Sequence, residues 1–240
     1  MSKEKQTGPS EIRGTVRIEL HTHQGDALFN GRDKTKDKPA IYGLPRFSGS
    51  VTPIYFSAMA DDPWADWFLL KIDMAIDRAK EKFDEIHAEV KAAYPESKSI
   101  IIENPHSVKP ISRPLAFKVP SYPHRMGYLV EDADKLILEI LNLFHAGRFT
   151  RRQKERLTNL VGRATRAALQ SVTGYRYQGV TRNDVKANNP KARKAKELMG
   201  EVPEDILNLK LRSDYAPELR QYGVGAVENE KPELVSAAKG

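Results

Sequence analysis

From Asp62-Pro63 to Tyr94-Pro95 the chain contains no helix breaker, and Trp64, Trp67, Phe68, Ile72, Ile76, Phe83, Ile86 and Val90 recur at helical steps. Asp62 can accept from the first free backbone N–H groups, and Pro63 suits the first helical position, where its missing donor costs nothing. The spacing therefore predicts a helix over 63–94. At about 1.5 Å per residue it is about 45 Å long, more than a small core needs. A helix of that length with one apolar stripe serves either as a dimer strut or as the spine of its own domain.

The 240 residues suffice for one large domain or two small ones, and a 40% hydrophobic content supports a packed core. The polar ends, 1–14 and 223–240, are expected to be disordered tails around a single α+β domain over 15–222. Within it we expect an N-terminal part (15–110) carrying the long helix and a basic strand-helix-helix part (111–200). There is no cysteine, which removes disulfides, thiol catalysis and cysteine metal sites. The polar start MSKEKQTGPSEIRG lacks an apolar signal core, and no run of about 18 apolar residues occurs. A cytoplasmic protein without a membrane partner is the expectation.

Val16, Ile18 and Leu20 alternate with Arg17 and Glu19, the period of a half-buried strand over 15–20. Gly25 to Gly49 reads as a loop with a short apolar turn near Ile41–Leu44. Ile100–Ile102 suggests a short strand over 99–103, and Arg113–Val119 a second one, with prolines that suit an edge or a two-stranded ribbon. A further helix is expected from near Glu131 until Gly147 stops it. Thr150-Arg151-Arg152-Gln153 has the spacing of a capping box at the start of another helix, ended by Gly174. Thr181–Asp184 repeats the cap pattern, and Asn189-Pro190 opens a last short helix that Gly200 ends.

The total charge is +7, but Gly147 to Lys196 holds 14 Lys and Arg against Glu155 and Asp184, a net of +12. The remainder carries −5. Such asymmetry focuses a positive potential on one surface, the footprint of a polyanion partner, with nucleic acid first among them. On the helix that starts at Thr150, Leu157, Leu160, Val161, Ala164, Ala168 and Val172 share one face. Arg152, Arg156, Asn159, Arg163 and Arg166 share the opposite one. Each guanidinium can hold two phosphate oxygens, and Thr150 and Arg151 anchor the phosphate-attracting helix start. Phosphate contacts supply affinity, whereas base reading needs side chains that reach a groove.

Two segments can supply that reading. The strand-helix-helix order from Arg113 to Val172 resembles a ribbon-helix-helix reader, in which Arg113 and Lys118, beside Ser112, face the bases. Alternatively, Tyr175–Gly200 forms a helix-turn-helix with Arg182, Asn183 and Lys186 as readers. His21 and His23, two apart on a strand, have the spacing of His-x-His phosphoesterase metal sites, but no third ligand is marked. No Gly-rich phosphate loop and no Gly-x-Ser-x-Gly elbow occurs. The expectation is no enzyme, no cofactor and no metal.

Five segments, in order, are similar to the AcaB family: Ile41–Phe47 (IYGLPRF), Asp61–Leu70 (DDPWADWFLL), Arg113–Phe117 (RPLAF), Gly174–Tyr177 with Gly179–Arg182, and Lys196–Gly200 (KELMG). The resemblance runs from about residue 15 to 220. Members of the family are encoded in integrating conjugative elements and related conjugative plasmids. The resemblance implies a transcriptional activator that binds DNA upstream of genes controlling conjugative transfer. Residues and resemblance together give one expectation: a mostly helical α+β protein, dimeric, that recognises double-stranded promoter DNA by sequence. The alternative is a protein–protein adaptor of the conjugation or integration machinery whose basic face meets an acidic partner.

Overall fold

The computed structural model describes residues 16–95, 101–103, 105–119 and 121–220. Strand β1 (Arg17–Leu20) is followed by helices α1 (His23–Asn30), α2 (Leu44–Met59) and α3 (Pro63–Ala92). Then come β2 (Ile111–Pro114), α4 (Ser121–His145) and α5 (Arg151–Leu169), and finally the short α6 (Arg182–Lys186), α7 (Pro190–Met199) and α8 (Glu204–Leu207). The protein is mostly helical, with one two-stranded antiparallel sheet in which Ile18 lies opposite Arg113 and Leu20 opposite Ile111.

The long helix is the spine of the main core. Its stripe of Ile72, Ile76, Phe83, Ile86 and Val90 is buried, and α3 packs against α2, α4 and α5. Asp62 caps it by accepting from the N–H groups of Trp64 and Ala65, with Pro63 in the first turn. Helix α5 closes the core with Leu157, Val161, Ala168 and Leu169. Trp64, Val180, Ala192, Ala195, Val202 and Ile206 form a second, small core that seats the α6–α8 segment on the start of α3.

Several expectations need correction. The stretch read as a loop over 25–49 holds α1 and the start of α2. Thr22 caps α1 through the Gly25 N–H, and α2 buries Leu44, Phe47, Val51, Ile54 and Ala58 despite Pro53 in its interior. Helix α4 begins at Ser121, not near Glu131, because Tyr122, Met126, Leu129 and Val130 extend its apolar stripe backwards and Pro123 falls in the first turn, where no donor is lost. Ile101 and Ile102 lie in irregular chain rather than a strand; Ser99 and Ile100 fall outside the described residues, as do the two tails. The strand expected over 113–119 is β2, which starts earlier and stops at Pro114. Its ladder follows β1 only as far as Arg17, with one more bond from the Leu115 N–H to Val16, so Phe117 and Lys118 lie beyond the sheet and Lys118 sits in a bend.

Candidate nucleic-acid interface

Helix α5 starts with the capping box that its sequence predicts: the Thr150 hydroxyl accepts from the Gln153 N–H at 3.2 Å, and the Gln153 side chain accepts from the Thr150 N–H at 2.9 Å. No acidic residue stands in its first turn, although Arg151 and Arg152 do. Opposite the buried face, Arg152, Arg156 and Arg163 are exposed and Arg166 is half-buried. Arg151 is paired with Glu155, four residues on, and Arg156 with Glu89 of α3. Both pairs are solvent-accessible, the kind that contributes little to stability and is readily exchanged for another anion. Among the described residues Arg152 and Arg163 meet no carboxylate. Partial burial, then the neighbouring Arg163, lowers the pKa of Arg166.

The ribbon candidates separate. Arg113 is held by Asp26 of α1, at 2.8 and 3.2 Å from two of its nitrogens. Lys118 is exposed.

Of the helix-turn-helix candidates, Lys186 is exposed and Asn183 largely so, but Arg182 is not available to a base. Its side chain is 5% exposed and donates to Asp61 and Asp66, each at 2.6 Å, and to the carbonyls of Ile206 and Leu207. Arg212 donates to the other oxygen of Asp66 at 3.0 Å. Arg182 therefore fastens the small core, a role that local spacing does not reveal because Asp66 and Asp61 lie 116 and 121 residues away. Beside it, burial raises the Asp62 carboxyl to a pKa of about 6, against the opposing hydrogen bonds from Tyr175 and the Ala65 and Trp64 amides.

The histidine pair does not share a strand, because β1 stops at Leu20. His21 accepts from the Ser107 N–H, and His23 opens α1. No group of three or more metal-ligating side chains occurs among the described residues, and no helix there is long and apolar enough to cross a membrane.

A helical scaffold presenting one cationic helix face is a frame on which transcription regulators are built, and comparison with known proteins points to that class. The family model described as transcriptional regulator AcaB matches residues 8–220. The chain belongs to the AcaB family of transcriptional regulators. A crystal structure of selenomethionine-containing AcaB from uropathogenic E. coli shares its fold, with a TM-score of 0.55 at 13% identity, over 86% of this chain and 98% of that one. No curated protein matches the chain.

Proposed function

We propose that the protein is a sequence-specific, double-stranded DNA-binding activator of conjugative transfer genes that acts as a homodimer. The observation that carries the reading is the outer face of α5, where Arg152, Arg156, Arg163 and Arg166 stand on the side opposite the core. In this reading they hold phosphates, with Thr150 and Arg151 at the helix start, and exposed Lys118 and Lys186 reach toward the bases. Arg113, tied to Asp26, positions β2 instead. The dimer forms through the edge of β2 that faces away from β1, which pairs with no other strand among the described residues.

The test is a salt series on a duplex that the full chain selects from a randomised pool, beside a scrambled duplex of equal length. Each lost phosphate contact lowers the magnitude of the slope of log affinity against log salt by about 0.9. Arg152→Ala with Arg163→Ala should lower it by about 2 on both duplexes, while Lys118→Ala should reduce mainly the preference between them. An unchanged slope in the double variant overturns the assignment of α5. A protein with no preferred duplex fits the adaptor alternative instead.

A further inference from the structure

Along α3, Trp64, Lys71, Arg78, Lys82 and Glu89 recur at steps of seven, seven, four and seven, so they share one side of the helix. Both ends of this row have known neighbours. Glu89 pairs with Arg156 on the outer face of α5, whereas Trp64 lies in the small core beneath α7 and donates its indole N–H to the Gly200 carbonyl. The N-terminal half of α5 and the α7 unit therefore flank the same side of α3. The separation from Trp64 to Glu89 along the axis is about 37 Å, close to the roughly 34–36 Å of one turn of B-form DNA. Between them, Lys71 is half-buried over the Trp67 ring, Arg78 is exposed, and half-buried Lys82 is paired with Glu85 on the same side.

Helix α7 buries Ala192 and Ala195 and turns Lys191, Arg193 and Lys194 outward. Lys196 is paired with Glu201, and Glu197 shares the outer face, but Arg193 and Lys194 meet no carboxylate among the described residues.

We propose that α7 is a second DNA-backbone contact, in which Arg193 and Lys194 hold phosphates one helical turn from those held by Arg152 and Arg156 at the start of α5, with the duplex lying along the Trp64–Glu89 row. The inference rests on the reading of α5 as a phosphate-binding face. It assigns α7 to backbone binding rather than to base reading, and it makes a single protomer bridge two tracts of one duplex.

The test combines the salt series with hydroxyl-radical footprinting of the full chain on its selected duplex. Arg193→Ala with Lys194→Ala should lower the slope by about 2 and remove protection from one backbone segment about 10 base pairs from a segment that stays protected. Both positions are exposed on a helix, and alanine is the strongest helix former; an unchanged circular dichroism spectrum verifies the fold, and the swap Arg193→Lys with Lys194→Arg should restore the slope. If the α5 double variant loses slope and the α7 variant does not, α7 meets no DNA and this inference is wrong while the reading of α5 stands. If neither variant loses slope, both fail, and an acidic protein becomes the partner of the basic surface.

Discussion

Asp66 is fully buried and meets two guanidinium groups, Arg182 and Arg212, on its two oxygens. Removing one member of such a cluster leaves buried charge without a counterpart, a loss of about 3–5 kcal/mol. Asp66→Ala should therefore cost at least about 3 kcal/mol in urea unfolding, and an unchanged midpoint would show that the cluster holds nothing. Asp62, four residues earlier, predicts a pH dependence. Its carboxyl is raised from 3.8 to about 6 by burial, so the folded state favours the proton. The stabilisation is present in full below about pH 4 and is lost as pH rises through about 6. Relative to Asp62→Asn, the wild-type protein should gain about 2 kcal/mol between about pH 7 and about pH 4. A difference that stays flat with pH would refute the burial argument.

At the scale of elements, caps made the fold legible. Helices α3, α5, α6 and α7 each open on a side chain that accepts from their own first turn, and each start was readable from a few adjacent residues. Helices α1 and α2 were not, because Gly25, Gly43, Pro45, Gly49 and Pro53 outweigh an apolar period that is present at 44, 47, 51, 54 and 58. The arginine face of α5 was likewise visible as periodicity. What local pattern cannot show is which arginines are already engaged, since Asp26 lies 87 residues from Arg113. Gly25 illustrates a long-range constraint of the same kind. Asp134 of α4 accepts from the N–H groups of His21 and Thr22 and from the Thr22 hydroxyl, and a Cβ at Gly25 would lie 2.1 Å from its carboxylate. Gly25→Ala should force the carboxylate aside and cost about 2 kcal/mol, visible as a lower thermal midpoint; an unaltered midpoint would mean that α1 is fastened by other contacts.

The free edge of β2 governs how copies of the protein assemble in this reading. In the β1–β2 pair the Leu115 N–H donates to Val16, and strand alternation then turns the Ser112 N–H toward the open edge. Ser112→Pro removes that donor while leaving the backbone ladder to β1 in place, and gives up only the exposed side-chain bond from Arg17. Sedimentation equilibrium should give twice 27.1 kDa for the parent and a shift toward 27.1 kDa for the variant. A variant that stays dimeric would place the subunit contact elsewhere.

The small core beneath α7 has a temporal consequence. Trp64 and Asp66 emerge from the ribosome more than a hundred residues before Arg182, so the first turn of α3 stays without these partners while that stretch is made. Its counter-charges and its apolar cover arrive only with residues 180–212. A chain cut short before Arg182 lacks both guanidinium partners of Asp66 and the residues of α7 and α8 that cover Trp64.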